Sequence, residues 1–205
     1  VAASGRLIVN GAGLEAFVDS AVEASGFDGT VINASDGIDE ALAKEITAES
    51  GESHDHEHAE ADDHAEEAHD HDHGDLNPHI WTSPRFAEGM VTEIATGLAA
   101  ADPEHASEFT DRADTYVEQL QDLDTWITAQ FERVPEADRV LVSGHDSLGY
   151  YLHDYGIEFA GSILPSFEDR AGPGAAGMGA LVQEIKERGV EAIVVESSLS
   201  PKLAQ

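Results

Sequence analysis

Seven of the eleven histidines in this 205-residue chain lie in one acidic segment, residues 52–75. They are His54, His56, His58, His64, His69, His71 and His73, and Asp and Glu residues lie between them. Neutral imidazole is the commonest protein ligand for Zn²⁺, and carboxylates can serve as further ligands. A tract of this composition therefore predicts a loop that collects metal, with zinc as the first candidate.

The same tract cannot form part of a packed core. It contains no aromatic and no large aliphatic residue, so burial could not offset the entropy lost on ordering it. We therefore expect a disordered accessory loop over residues 52–75, inserted into a chain that is otherwise apolar enough to fold.

Overall charge and the absence of cysteine restrict the possible functions. The chain has 42 acidic and 10 basic residues, a formal net charge of -32, which argues against nucleic acid as a partner. An acidic surface with little lysine is typical of proteins solvated in high salt, so we predict a halophilic source, with an ordinary acidic protein as the alternative. No cysteine is present, so disulfides and thiolate zinc sites are excluded.

Two histidines outside the tract lie in loops that the sequence predicts to be well fixed. His79 belongs to Asn77-Pro-His-Ile-Trp, where proline restricts its own backbone and that of the preceding residue. His145 follows the predicted strand Arg139-Val-Leu-Val-Ser, and ligands of open α/β sheets bind at the carboxyl ends of strands. Both could be metal ligands. The alternative for His79 is a loop histidine that only hydrogen-bonds the backbone, and the alternative for His145 is an ordinary residue at the start of a helix.

Other polar residues are weaker candidates for a functional role. Glu196 ends the apolar run Glu191-Ala-Ile-Val-Val-Glu, where it could be a ligand, an acceptor behind a ligand, or an exposed loop acid. His153 is expected at the surface or the edge of the core, and His105 in solvent. Glu15 is expected in the first turn of a helix, where a carboxylate is favoured by the helix dipole.

Patterns typical of catalysis do not occur. Ser143-Gly-His145 lacks the form of a nucleophile elbow, and Gly11-Ala-Gly13 lacks the third glycine of a dinucleotide-binding loop. The sequence outside the tract contains no short-spaced histidine pair of the HExxH kind. We therefore predict that the protein is not an enzyme, with a zinc-dependent hydrolase kept as one rival hypothesis.

The hydrophobic pattern predicts an α/β fold in two halves. Apolar runs that read as strands alternate with amphipathic helices before and after one long helix without Gly or Pro. The predicted strands are Arg6–Gly11, Thr30–Asn33, Arg139–Ser143, Ile157–Ala160 and a buried strand over Glu191–Glu196. The predicted helices cover about 14–25, 40–47, 84–100, 104–133, 147–155 and 178–188, and Ser200-Pro201 begins another. We assign residues 1–103 to an N-terminal lobe, 104–134 to an interlobe helix and 135–205 to a C-terminal lobe.

Several segments, taken in order, resemble one protein family. They are Asn10-Gly-Ala-Gly-Leu-Glu-Ala-Phe, the histidine-rich insertion, Asn77-Pro-His-Ile-Trp-Thr-Ser-Pro, Gly144-His-Asp-Ser-Leu-Gly-Tyr-Tyr-Leu-His-Asp-Tyr-Gly-Ile and Ile193-Val-Val-Glu-Ser-Ser-Leu-Ser-Pro-Lys. Together they resemble the zinc- and manganese-binding solute receptors of ABC transporters, and the insertion resembles that of the ZnuA-type zinc members. Asn77 stands where the family more often has Asp.

The resemblance implies two Rossmann-like α/β lobes joined by one long rigid helix, with the metal site in the cleft between them. It implies that His79 is the ligand from the first lobe and His145 the ligand from the second, with Zn²⁺ favoured over Mn²⁺ because imidazole suits zinc. The family's first ligand histidine would lie before this sequence and its last acidic ligand after it. We therefore expect an internal fragment of a longer receptor, with both lobes incomplete.

The resemblance also implies a location and a partner. The expected protein is extracytoplasmic, in the periplasm or at the cell surface, and is anchored to the membrane as a lipoprotein in its full-length form; the signal peptide is not visible at Val1. Its expected partner is an ABC permease that receives the zinc, and we expect a monomer. Two alternatives remain: a surface adhesin, and a metal buffer whose histidine-rich loop is the main binder.

Overall fold

The computed structural model describes residues 5–15, 17–51, 76–164 and 175–197. Its strands are β1 (Arg6–Val9), β2 (Thr30–Asn33), β3 (Val140–Ser143), β4 (Glu158–Ser162) and β5 (Ala192–Val194). Its helices are α1 (Val18–Ser25), α2 (Glu40–Gly51), α3 (Pro84–Ala101), α4 (Ala106–Phe131), α5 (Gly149–Asp154) and α6 (Ala175–Arg188). The histidine-rich tract, the loop over 170–174 and the helix predicted at Ser200 lie outside the described residues.

The first α/β unit contains β1, β2 and α1 to α3, and is called the N-terminal lobe below. Strands β1 and β2 pair in parallel, with Arg6 opposite Thr30, as expected for strands joined by a crossover helix. Helix α3 begins at a capped end: Pro84 is its first residue, and the buried Ser83 hydroxyl accepts a hydrogen bond from the Phe86 amide, an arrangement that satisfies an otherwise unpaired donor.

The second unit, the C-terminal lobe, contains β3, β4, β5, α5 and α6. Its strands are all parallel, in the order β4-β3-β5, so β3 is central among the described strands. Val140 and Val142 of β3 are buried, and α6 packs over the sheet through residues such as Leu181 and Ile185. The prediction of alternating strands and helices is confirmed in both lobes.

Helix α4 lies between the two lobes in sequence and packs on both. It has 26 residues, preceded by a separate 3-10 turn over Pro103–His105, so the predicted thirty-residue helix is slightly too long. Leu120 and Ile127 are its buried residues, and Ile127 packs with α5 residues such as Leu152. The exact domain boundaries remain predictions.

Two local predictions are wrong. Strand β5 is exposed at all three positions among the described residues, whereas the sequence predicted a buried strand there. Glu15 precedes α1, which begins at Val18. Its carboxylate instead accepts hydrogen bonds from the backbone amides of Asn10 and Gly11, at 2.8 and 3.2 Å.

Each described helix is too short or too polar to cross a lipid bilayer.

Candidate metal site

His79 and His145 meet between the two lobes. Their Nε2 atoms are 3.1 Å apart and their ring centroids 4.9 Å apart, with the ring planes at 65°. The two residues are 66 positions apart in sequence. The structure thus brings together the two histidines that the sequence singled out, and it does so through the same nitrogen of each ring.

The position of His145 follows from the sheet. Ser143 of β3 is in register with Val194 of β5, and the strands are parallel, so their carboxyl ends lie at the same edge. His145 lies two residues beyond Ser143 and Glu196 two residues beyond Val194. As a result, Glu196 Oε1 is 2.8 Å from His145 Nδ1. Ser147 donates a hydrogen bond to the same carboxylate oxygen at 2.8 Å, and His145 is only 5% exposed.

His79 is held by the loop that carries it. Asn77 Oδ1 accepts a hydrogen bond from the His79 backbone amide at 3.0 Å and lies 2.7 Å from His79 Nδ1. The Asn10 side chain, at the carboxyl end of β1, donates to the carbonyl of Pro78 at 3.0 Å. This loop therefore also lies at the carboxyl edge of its sheet, and the His79 ring packs against Trp81 with centroids 5.4 Å apart.

These contacts determine which nitrogen of His79 carries the proton. The Asn77 amide cannot be reversed, because its Nδ2 donates to the carbonyl of Asp146 at 3.1 Å while its Oδ1 accepts from a backbone amide. His79 Nδ1 therefore faces an acceptor and carries a hydrogen. His145 Nδ1 lies against the Glu196 carboxylate, so Nε2 is the nitrogen of each ring that faces the other histidine.

Two imidazole nitrogens that face each other at 3.1 Å can share a hydrogen between them or bind one metal ion together. Burial of the His79 ring, and secondly the neighbouring His145, lower the pKa of His79, while Glu196 raises it more weakly. The ring is therefore neutral and able to bind metal at neutral pH. Two nitrogens on a tetrahedral Zn²⁺, each about 2.0–2.1 Å from the metal, are about 3.3 Å apart. The observed separation is close to that value, so little movement is required for both rings to bind one ion.

The other sequence candidates lie apart from this pair. His153 has a side chain that is 37% exposed and lies 3.5 Å from Asp154, and His105 pairs with Asp102 at 3.0 Å on the surface. The seven tract histidines lie outside the described residues. Within the described ranges, no group of three or more His, Asp or Glu side chains is arranged to hold a metal by itself.

Sequence reasoning missed three residues around the pair: Asn77, Ser147 and Tyr150. Asn77 was noted only as a variation from the family pattern, and the spacing of Ser147 and Tyr150 pointed to helix positions. Asn77 and Tyr150 act through contacts between the two lobes, and Ser147 through a contact with Glu196, 49 residues away, and local spacing encodes neither. The one available signal was the position of Asn77, two residues before a candidate ligand.

Comparison with known proteins gives the family. The model of the family described as zinc-uptake complex component A, periplasmic, matches residues 1–205. The chain belongs to this family. Membership confirms the predicted class, a solute-binding protein rather than an enzyme.

Relatives in the family differ in the metal that their names state. The chain is 35% identical to the manganese-binding lipoprotein MntA of Bacillus subtilis over 127 residues, 62% of this chain and 41% of the relative. It is 33% identical to the zinc-binding protein AdcA of Streptococcus pyogenes over 161 residues, 76% of this chain and 30% of the relative. The chain thus spans less than half the length of these curated relatives.

A solved structure confirms the predicted fold. The periplasmic zinc-binding protein TroA from Treponema pallidum superimposes with a TM-score of 0.74 at 23% identity, over 98% of this chain and 63% of that one. The α/β architecture with two lobes and a long connecting helix is therefore that of the family. That similarity does not identify the metal ligands of this chain.

Proposed function

We propose that this chain is the metal-capturing part of an extracytoplasmic receptor that binds Zn²⁺ and delivers it to an ABC permease. The observation that carries the proposal is the facing pair of Nε2 atoms, 3.1 Å apart, contributed by His79 and His145. Each ring has its other nitrogen against an acceptor, which is the usual arrangement behind a metal-bound histidine. The metal is cargo here, and the residues bind it without changing it.

The donor atoms favour zinc over manganese. Imidazole nitrogen suits Zn²⁺, whereas Mn²⁺ prefers carboxylate and water oxygen. Glu196 Oε1 lies against Nδ1 of His145, so we assign Glu196 to holding the imidazole in place, with direct binding to the metal as the alternative. Zinc needs four ligands in a closed site, so at least one ligand beyond His79, His145 and Glu196 would come from outside the described residues.

The names of the family and of one relative support the proposed location and partner. Its description is periplasmic, and MntA is named as a lipoprotein. We infer an extracytoplasmic receptor, held at the membrane in its full-length form, that releases zinc to a permease. The tract over 52–75 would collect zinc weakly and raise its concentration near the interlobe pair.

A chelator-competition zinc titration near pH 7.5 in high salt tests this function. The protein, as its gene encodes it, is compared with three variants: one with the seven tract histidines changed to glutamine, a His79→Ala/His145→Ala double variant, and the combination of both. We expect one tight site that survives loss of the tract and disappears in the double variant.

The same titration decides between the receptor and the metal buffer. Tight binding that survives the double substitution and disappears with the tract histidines would show that the tract is the main binder. That result would overturn the receptor proposal.

A further inference from the structure

Tyr150 belongs to the C-terminal lobe but is buried in the core of the N-terminal lobe. It lies on α5, five residues after His145, and is 0% exposed. Its neighbours in that core come from α2, α3 and the segment after His79, and include Ile46, Ile80 and Phe86. The Phe86 and Tyr150 ring centroids are 4.9 Å apart. This side chain therefore joins the two lobes beside the histidine pair.

The hydroxyl of Tyr150 contacts the loop that carries His79. It donates a hydrogen bond of 2.7 Å to the backbone carbonyl of Asn77 and lies 3.3 Å from Thr47 Oγ1 on α2. Thr47 Oγ1 in turn accepts a hydrogen bond from the Asn77 amide at 3.1 Å. The backbone of Asn77 is thus held on both its donor and its acceptor side.

The side chain of Asn77 completes the connection. Its Oδ1 orients His79, and its Nδ2 donates to the carbonyl of Asp146, the residue directly after His145. Only a carboxamide can do both, because a carboxylate at this position could accept from His79 but could not donate to a carbonyl. The carboxamide of Asn77 therefore allows a direct bond between the two ligand-bearing segments.

We propose that Tyr150 and Asn77 form an interlobe tether that holds His79 and His145 at metal-binding separation before zinc arrives. The proposal rests on the receptor function above and makes both tether residues positioning residues. They touch the segments that carry the ligands, and neither is assigned a bond to the metal.

The tether raises the fraction of metal-free molecules in which the two rings are already adjacent and able to bind zinc. If the two rings are already adjacent, zinc binding need not supply the free energy of bringing the lobes together. When the competent arrangement is only fractionally populated, the apparent affinity falls in proportion to that fraction.

Tyr150→Phe tests the tether, and Tyr155→Phe is the matched control. Both tyrosines are buried, lie five residues apart and donate one hydrogen bond of 2.7 Å, but Tyr155 donates to Asp124 on α4, away from the histidine pair. Both variants are prepared in the protein with the tract histidines changed to glutamine. Zinc affinity is measured by chelator competition, the visible spectrum of bound Co²⁺ reports ligand geometry, and urea unfolding reports stability.

We expect Tyr150→Phe to lower zinc affinity by roughly 3- to 10-fold, the value of one net hydrogen bond, and to alter the Co²⁺ spectrum. Tyr155→Phe should lose stability while its affinity and spectrum match those of the parent. Equal affinity and equal spectra in the two variants would overturn the tether. Failure of the parent itself to bind zinc tightly would instead overturn the receptor function, so the two failures are distinguishable.

Thr47→Val tests the same tether from α2 if Tyr150→Phe does not fold. It removes the acceptor of the Asn77 amide while keeping the shape of the side chain. We expect roughly a 3-fold loss of zinc affinity, against no loss in the control Thr92→Val, whose exposed hydroxyl bonds only within α3. Unchanged affinity in Thr47→Val would overturn the proposal.

Discussion

Glu196 Oε1 lies 2.8 Å from Nδ1 of His145, and this contact follows directly from strand register. Ser143 and Val194 are partners in adjacent parallel strands, and each of the two functional residues comes two positions later. The carboxylate lies against Nδ1, so the Nε2 atom of the ring is the one that faces His79. A glutamate that follows β5 therefore helps to position the ring of a histidine that follows β3.

Glu196→Ala should weaken zinc binding by about tenfold, because loss of the acceptor behind a ligand histidine typically costs that much or more. Glu196→Gln is the control, since its carbonyl oxygen can still accept from Nδ1 without the charge, and it should lose less. Affinities come from chelator competition in the protein with the tract histidines substituted. Equal affinity in Glu196→Ala and the parent would contradict this role.

Acid should weaken both the fold and the zinc site through His79. Its pKa in the folded protein is lowered from the ordinary 6.5 by burial and by His145, so the unfolded chain binds more protons just below that pH. The free energy of unfolding should therefore fall as the pH drops below about 6.5, and zinc affinity should fall with it as protons compete for the ring.

Urea unfolding and zinc titration between pH 7.5 and pH 5.5 measure this effect. His79→Gln removes the titrating group, so its stability should depend less on pH over that range. Identical pH profiles for the parent and His79→Gln would show that His79 does not contribute to the pH dependence of stability or of zinc binding.

His145→Asp should shift metal preference toward manganese. The change replaces an imidazole with the harder oxygen donor that suits Mn²⁺, and we expect the zinc-to-manganese affinity ratio to fall by about an order of magnitude. The metal content of protein equilibrated with equal amounts of both ions measures the ratio. His153→Asp, on the same lobe but away from the pair, should leave it unchanged; an unchanged ratio in His145→Asp would argue against His145 as a ligand.

Ser83→Ala should destabilise the fold by about 2 kcal/mol, because it removes a helix cap and a buried hydrogen bond together. Ser83 accepts from the Phe86 amide and donates to Asp154 on α5, whose side chain is 8% exposed. Thr92→Ala, at an exposed position of the same helix, should cost no more than about 0.5 kcal/mol. Urea unfolding of both variants checks the difference, and equal losses would contradict the cap.

The order of elements could be predicted from local pattern, whereas the pairing of His79 with His145 across the lobes came from the family resemblance. Apolar runs bounded by Gly and Pro marked β1 to β4, and the placement of His145 after β3 identified a carboxyl end of the sheet. The exposure of β5 was mispredicted because its composition indicates a buried strand, whereas burial depends on which distant elements cover the faces of the strand. The contacts of Tyr150 with Asn77 span 73 residues, so spacing alone gave no sign of them.

X-ray absorption at the zinc edge tests the central claim most directly. The protein as its gene encodes it, with the seven tract histidines changed to glutamine, is loaded with one zinc and compared with its His79→Gln/His145→Gln variant. We predict imidazole scattering at about 2.0–2.1 Å from zinc in the first protein, with the contribution of two rings lost in the second. The same imidazole signal in both proteins would show that zinc is not held between His79 and His145.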